Sequence, residues 1–428
     1  MNIILLSGGS GKRLWPLSND VRSKQFLKIF PKEDGSRESM AQRMFRMIKE
    51  VDPNSVITIA TSENQIQQIK AQLGDNVGIS VEPTRRDTFP AIALAAAYLK
   101  KNGVNENEPI VVCPVDPYVD IDYFHCLSKL SDAASEKNAA NIVLMGIEPT
   151  YPSEKFGYII PVTKETVSAV SEFKEKPDKQ TAQKYISIGA LWNGGVFAFK
   201  LSYLLNISAH LLGTNDYDTM FKNYASLRKI SFDYAVVEKE KSIDVIRFSG
   251  KWKDLGTWNT LSEAMKDSFS GKVMTNHCLN THIINELDVP LIALGIDNSI
   301  VVATPDGILV SKKSESVKLK DYVNDMIPMY EQYPWGEYKI LDYSVGDSNE
   351  ERIVRKLIIK ANNCFDLSNK DGYKEIITVE NGQGTLTING DKKNICSGDS
   401  FTSDVSSEIC IKAHTEMQLI DIKIRMNK

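Results

Sequence analysis

Apolar residues follow two rhythms along this chain, and the change of rhythm divides it. Up to about residue 265, short continuous apolar runs alternate with longer stretches of helical spacing. Asn2 to Leu6 is a run suited to a buried strand. Met40, Met44, Met47, Ile48 and Val51 recur at helical intervals with charges between them, the mark of a core-facing helix. Ser55 to Ala60 reads as a strand, Asn64 to Leu73 as a helix and Val77 to Val81 as a strand. An alanine-rich helix follows from Pro90 to Lys101, then apolar strands at Pro109 to Pro114 and Asn141 to Ile147. Such alternation predicts an open, mostly parallel α/β sheet.

From Gly271 to Val323 the pattern shortens to brief β pieces with regular turns: His282 to Ile284, Leu291 to Gly295, Ile300 to Ala303 and Gly307 to Val310. These predict a small β-helical segment, and Val317 to Tyr330 reads as a helix and linker. Residues 352 to 424 alternate strand runs with glycine turns, among them Glu380-Asn381-Gly382-Gln383-Gly384, and predict a double-sheet β barrel. The expected domains are therefore 1–265, 266–332 and 333–428.

Composition narrows the function classes. The chain has 428 residues and a formal charge of −4, which argues against a protein that coats nucleic acid or a membrane surface. No run of 18 apolar residues exists, so no membrane span is expected. The six cysteines form no C-x-x-C pair, which excludes a zinc ribbon or redox couple, and Cys113 sits in an apolar run as a core thiol. The N-terminus lacks a basic segment before its short apolar run, so a reduced cytoplasmic protein is expected.

The candidate chemistry begins where the first strand ends. Leu6 leads into Ser7-Gly8-Gly9-Ser10-Gly11-Lys12-Arg13, and Ser23-Lys24-Gln25-Phe26-Leu27 follows shortly after. Glycines let the backbone turn tightly and present N–H groups to a ligand, and Lys12, Arg13 and Lys24 add positive charge. The spacing is not that of a P-loop, because Leu6 and Arg13 occupy the positions of its first glycine and its Ser/Thr. Nor is it the dinucleotide fingerprint, because position 14 is leucine. By spacing alone the stretch fits a phosphate cradle or a structural turn.

The full string GGSGKRLWPLS followed by SKQFL resembles the signature of sugar-1-phosphate nucleotidylyltransferases. It is most similar to the mannose-1-phosphate guanylyltransferase branch, whose members often carry a C-terminal cupin domain. The resemblance implies a Rossmann-like nucleotidyltransferase domain, with Leu6, Gly8, Gly9, Gly11, Lys12 and Arg13 around the nucleotide triphosphate and Lys24 on phosphate. Where that family usually has proline, Ser23 stands. Glu82-Pro83-Thr84-Arg85-Arg86-Asp87-Thr88-Phe89-Pro90 resembles the family's EP-x-x-RNTAP string, implying nucleotide contacts from Glu82, Arg86 and Asp87; Asp87 replaces its asparagine. Pro114-Val115-Asp116-Pro117 resembles PxDH, whose aspartate binds Mg²⁺, and an aspartate just past a buried strand suits that role. Trp252-Lys253-Asp254-Leu255-Gly256-Thr257-Trp258 resembles the string carrying the second metal aspartate, so Asp116 and Asp254 form the expected Mg²⁺ pair.

The resemblance implies a sugar-phosphate subsite as well. Phe156-Gly157-Tyr158 stands for the family's YGY, Phe173-Lys174-Glu175-Lys176-Pro177 for FxEKP and Trp192-Asn193-Gly194-Gly195 for WNSG. Gly157, Glu175, Lys176 and Asn193 would then hold the sugar and its phosphate. Ser231-Phe232-Asp233-Tyr234-Ala235-Val236-Val237-Glu238 resembles SIDYAVME, and Gly295 to Val310 resembles a family segment that aids dimerisation. Tyr333-Pro334-Trp335-Gly336-Glu337-Tyr338 resembles the start of the cupin domain. The isomerase cupin carries H-x-H-R-x-E-H-W; the aligned stretch here is Asp371-Gly372-Tyr373-Lys374-Glu375-Ile376-Ile377, with only Glu375 kept, and His414 is isolated. A barrel without isomerase activity, serving assembly, is expected.

The expected reaction joins a sugar 1-phosphate, with mannose favoured, to a nucleoside triphosphate, with GTP favoured, in a Mg²⁺-dependent homodimer. Arg13, Lys24, Asp116 and Asp254 form the catalytic set. The departures at Asp87, Pro117 and Phe156 leave open another base or sugar, such as a heptose or deoxysugar, and a non-catalytic nucleotide-sugar binder.

Overall fold

Strand β1 (Asn2–Ser7) sits inside a nine-stranded sheet. Ile3, Ile4 and Leu5 have no exposed surface, and they alternate between two cores: Ile3 and Leu5 in one, Ile4 in the other. That explains the unbroken apolar run, because a strand covered on both faces has no polar side. In this computed structural model the described residues are 1–9, 11–19, 22–32, 34–265, 267–323, 329–346, 350–367, 373–403 and 408–426. Their contacts form two units, Met1–Ser10 with Ser23–Lys266 and Gly11–Arg22 with Asp267–Lys428.

Besides a two-residue hairpin pair, Phe30–Pro31 with Arg37–Glu38, the first unit's other strands are β2 (Val56–Ser62), β3 (Gly78–Glu82), β4 (Pro109–Pro114), β5 (Pro117–Val119), β6 (Ile142–Ile147), β7 (Gly157–Pro161), β8 (Val167–Lys174), β9 (Leu191–Lys200), β10 (Ile243–Phe248) and β11 (Trp252–Asp254). The sheet order is β3-β2-β1-β4-β9-β6-β10-β8-β7. The strands β3, β2, β1 and β4 are mutually parallel, as the alternating pattern predicts. Beyond them β9 enters antiparallel to both β4 and β6. The parallel run is therefore one half of a mixed sheet, and it places four carboxyl ends side by side.

Helix α1 (Met40–Val51) opens with a reciprocal cap between Ser39 and Gln42 and turns its methionines into the core. The next helices are α2 (Ile66–Leu73) and α3 (Thr88–Lys101). Every residue of α3 from Phe89 to Ala97 is buried, since it packs on the sheet and on later helices; alanine permits such close approach on several sides. Cys113 lies in β4, and burial pushes its thiol up to about 12, consistent with an inert core residue.

In the second unit, β pieces repeat every 18 residues. Val273 pairs with Leu291 and His282 with Ile300, both in parallel strands. Asn280 and Asn298, both in left-handed backbone, stack at one corner through a 2.8 Å hydrogen bond. This is the expected β-helical element, closed by the antiparallel strand Gly307–Lys312. The segment 11–22 packs within this unit: Asn19 donates to Asp306 at 2.8 Å, Thr304 donates to the Pro16 carbonyl, and Arg22 forms a two-pronged pair with Glu286. Where a helix and linker are expected, Ser316–Asp321 is a 3₁₀ turn; residues 324–328 of that stretch lie outside the described set.

The barrel consists of a six-stranded and a four-stranded sheet around Leu357, Ile377, Leu386, Ile411 and Leu419. This two-sheet architecture is the one expected of a cupin domain. Among the described residues, no helix is long and apolar enough to cross a membrane.

Candidate active site

Beyond the carboxyl ends of β1, β2, β3 and β4 lies a cleft of about 410 Å³. Leu6, Gly8, Gly9, Ser62, Glu82, Arg85, Asp87, Thr88, Asp116 and Lys229 line it. A side chain at Gly8 or Gly9 would meet nothing within 4 Å, so the backbone there faces open space. Gly11 differs. At φ +62° a Cβ would press on Ser18 and Asn19 at 3.1–3.2 Å, so this glycine serves the turn. Gly11, Lys12 and Arg13 fall in the segment grouped with the second unit, on the 3₁₀ turn Lys12–Leu14, with Arg13 exposed.

Lys24 stands on a second 3₁₀ turn, Lys24–Phe26, whose flanks are fixed from below. Buried Gln25 donates to Ser7 at 3.0 Å, and Gln65 accepts from both Ser7 and Thr61. Gln65 also donates to the Ser23 hydroxyl at 2.9 Å, giving a physical use for serine at the position where proline is usual. These buried amides and hydroxyls tie the lysine turn to the end of β1. Sequence reading missed Ser7, Thr61 and Gln65, since isolated polar residues carry no spacing signal.

The Lys24 ammonium lies 2.5 Å from Asp116 and 3.7 Å from Asp254. Pairing of β11 with β5 sets Asp254 opposite Pro117, which explains how two aspartates 138 positions apart in the numbering converge. Among the described residues no three carboxylate, imidazole or thiol groups cluster as a metal site. Two carboxylates around a single cation nevertheless fit a hard divalent ion that takes its remaining ligands from phosphate and water.

In the loop before α3, Glu82 accepts from Tyr224 at 2.8 Å, and burial raises its carboxyl above the usual value. Asp87 caps α3 from left-handed backbone at φ 69°, accepting from the Thr88 amide. The two arginines separate: Arg85 lines the cleft, whereas Arg86 donates to the Ala225 carbonyl. These adjacent side chains take different directions, so the sequence string could not choose between them. Lys229 also lines the cleft, outside every motif read from the sequence.

The predicted sugar residues come together on β7, β9 and the end of β8. A Cβ on Gly157 would lie 2.5 Å from Glu175 Oε2 and 3.3 Å from the Asn193 side chain, so a larger residue there would displace the Glu175 carboxylate. Glu175 is buried; its Oε1 pairs with Lys176 at 2.5 Å, and Oε2 has no hydrogen-bond partner among the described residues. Lys176 adopts φ 46°. Burial alone would lower its ammonium, but the pairing with Glu175 lifts it above the ordinary value. Asn193 begins a bulge in β9 and donates to Asp233 at 2.6 Å. Phe156 packs against Trp192 at 5.0 Å and Trp252 at 5.5 Å between ring centroids. Strand β11 thus carries an aromatic wall at Trp252 and a carboxylate at Asp254.

The sequence profile described as nucleotidyl transferase matches residues 2–270, more than half of the chain. The chain belongs to the nucleotidyl transferase family. This nucleotidyl transferase is 28% identical over 465 aligned positions to a mannose-1-phosphate guanylyltransferase of Salmonella montevideo, covering 99% of this chain and 95% of the relative. It is 31% identical to the xanthan biosynthesis protein XanB of Xanthomonas campestris pv. campestris (strain B100), covering 79% and 78%. Among solved structures, a mannose-1-phosphate geranyltransferase from Thermus thermophilus superposes with a TM-score of 0.63 at 28% identity, covering 75% of this chain and 97% of that one. The chain is an enzyme of the sugar-phosphate nucleotidyltransferase type. Its substrates are a nucleoside triphosphate and a sugar phosphate, and the family generally uses a divalent metal.

Proposed function

We propose that the chain joins GTP and mannose 1-phosphate to give GDP-mannose and pyrophosphate, with Mg²⁺ as the metal. The observation that carries the reading is the convergence of Asp116 and Asp254 on one cation beside the glycine-floored cleft. Bound between these carboxylates, Mg²⁺ would supply charge neutralisation to the triphosphate. The sugar phosphate is ionised at neutral pH, so the enzyme needs no general base, and its work is positioning and electrostatic stabilisation. Gly8 and Gly9 accommodate phosphate against the backbone, and Leu6, Glu82, Asp87 and Arg85 frame the nucleotide. Lys24 and Arg13 stabilise charge on the reacting phosphoryl and departing pyrophosphate. Glu175 and Asn193 orient the sugar above Gly157, and Lys176 steers its phosphate. Gly11 shapes the turn that carries Lys12 and Arg13; Arg86, held by Ala225, braces the loop that presents Arg85.

Residues 1–265 carry this chemistry, 266–332 form the β-helical connection through which two copies pair, and 333–428 serve assembly in a cytoplasmic homodimer. The barrel has no isomerase role. In support, Glu375 is engaged by Lys423 at 2.9 Å and lies 3.9 Å from Arg355, and His414 is tied to Thr385 at 2.8 Å. Asp371 and Gly372 of the aligned stretch lie outside the described residues.

The test is pyrophosphate release with Mg²⁺, crossing GTP, CTP, ATP and UTP against mannose, glucose and fucose 1-phosphates. Preference for GTP and mannose 1-phosphate is expected. A different preferred pair would keep the mechanism and replace the substrates; the apolar wall of Phe156, Trp192 and Trp252 favours a deoxysugar in that case. Nucleotide binding with no turnover on any pair would favour a non-catalytic binder.

A further inference from the structure

The sugar subsite rests on a polar network that ends in a residue outside the machinery assigned so far. The Asn193 amide is held at both ends: its oxygen accepts from the Gly195 amide at 3.0 Å, and its nitrogen donates to Asp233 Oδ1 at 2.6 Å. The two ends of an amide have nearly the same shape but opposite hydrogen-bond sense. An ionised carboxylate only accepts, so Asp233 holds the nitrogen on its side. Asp233 belongs to the short helix Phe232–Ala235, which is anchored independently of the amide. Phe232 is fully buried, and its backbone N–H donates at 2.8 Å to the hydroxyl of Thr88, a residue of the nucleotide cleft. This half-buried helix therefore touches the cleft wall at one residue and Asn193 at the next.

We propose that Asp233 is a positioning residue of the sugar subsite, fixing the orientation in which Asn193 meets the sugar hydroxyls. The proposal rests on the reading of Asn193 and Glu175 as sugar-binding groups. Two conditions make Asp233 necessary for that task. Gly195 leaves the second lone pair of the Asn193 oxygen available, and Asp233 leaves one N–H available, so a correctly oriented amide still offers one acceptor and one donor. A flipped amide would set its nitrogen against the Gly195 N–H and its oxygen against a carboxylate, and both contacts are repulsive.

The electrostatics supports the geometry. Burial, together with the neighbouring Glu175 charge, raises the Asp233 carboxyl to about 6; the Asn193 hydrogen bond and the Lys176 ammonium act the other way. Glu238, which accepts from the Glu175 amide and has the Lys174 ammonium 3.9 Å away, and Tyr234 are further ionisable groups of this neighbourhood. The folded value lies above the ordinary 3.8. The stability contributed by protonated Asp233 is therefore present at low pH and lost as pH rises through about 6. At neutral pH the charged acceptor is the working form.

The experiment compares Asp233→Ala, Asp233→Asn and wild type in pyrophosphate release with GTP, mannose 1-phosphate and Mg²⁺, from pH 5 to 8. D233A is expected to raise KM for the sugar phosphate about tenfold and leave KM for GTP within about twofold. D233N keeps a carbonyl acceptor without charge, as protonated Asp233 does, and should recover only part of that loss. It should also lack the rise in sugar-phosphate KM that wild type shows below about pH 6. The substrate's own phosphate titrates in the same range, but equally for both proteins, so their ratio isolates Asp233. An unchanged sugar-phosphate KM in D233A, or equal rises for both substrates, overturns the proposal. Should D233A fail to fold by thermal melting, D233N decides: a pH profile identical to wild type overturns it. Wild-type enzyme inactive on every sugar phosphate would instead overturn the underlying reading, and this proposal with it.

Discussion

The two units each hold a group of closely packed charges, and the groups differ in balance. In the first unit Asp116 and Asp254 share one ammonium, and Glu175 and Asp233 share another, so each trio carries excess negative charge. In the barrel, Arg355 pairs with Asp421 at 2.5 Å and Lys423 with Glu375 at 2.9 Å, which closes the count. Both barrel carboxylates are essentially inaccessible, and the cations lie over aromatic rings: Arg355 over Tyr338, Lys423 over Tyr373. Excess charge beside a cleft calls for a ligand to complete it. Balanced charge sealed among rings and strands makes a structural network. The barrel has thus kept buried polarity at Glu375 while directing it inward.

The largest expected effect separates these two kinds of charge. Asp254→Asn should lower kcat/KM by about a thousandfold, on the scale of removing one transition-state electrostatic group, with the melting temperature unchanged. Steady-state pyrophosphate release and a thermal melt check both halves; near-normal activity at saturating Mg²⁺ would remove Asp254 from the metal pair. The barrel network should behave in the opposite way. Arg355→Met leaves Asp421 buried without its cation and should cost about 3 kcal/mol in denaturant unfolding while kcat per folded enzyme holds. Adding Asp421→Leu to Arg355→Met should return most of that stability; failure to do so would mean the pair contributes more than mutual compensation. The pH dependence sharpens the contrast: burial raises the Asp421 carboxyl, so its contribution to stability falls as pH rises through that raised value. Asp421→Asn should flatten that decline in a melting series. The smallest effect lies beneath the active site. Ser23→Ala removes the acceptor for Gln65 and should cost about 1 kcal/mol, with a modest rise in KM for the nucleotide.

Much of this was legible in the chain, for identifiable reasons. The alternation of strand and helix gave the parallel half of the sheet, but β9 runs antiparallel to β4 and β6, because strand direction depends on connections that local pattern does not encode. Asp116 was readable from its position just past an apolar run. Asp254 needed the resemblance, since its approach to Asp116 comes from pairing between β11 and β5 far apart in sequence. Arg85 and Arg86 are indistinguishable as letters; a one-residue difference in direction separates them. The barrel charges leave a trace in the strand pattern. Glu375 has the same strand parity as buried Ile377 and Val379, and Asp421 the same parity as Met417 and Leu419. A charge on the inward parity of an amphipathic strand marks a buried partner of opposite sign.

The segment from Gly11 to Arg22 bears on how such a protein is taken apart or recombined. By motif it belongs to the nucleotide loop, yet Asn19, Pro16 and Arg22 are fastened to Asp306, Thr304 and Glu286. A gene fragment ending near residue 265 would keep every letter of the signature and lose the anchors of half of it. Cassettes exchanged between relatives at that junction would have to carry both ends of the chain together, so the modularity visible in the sequence stops short of being a modularity of parts.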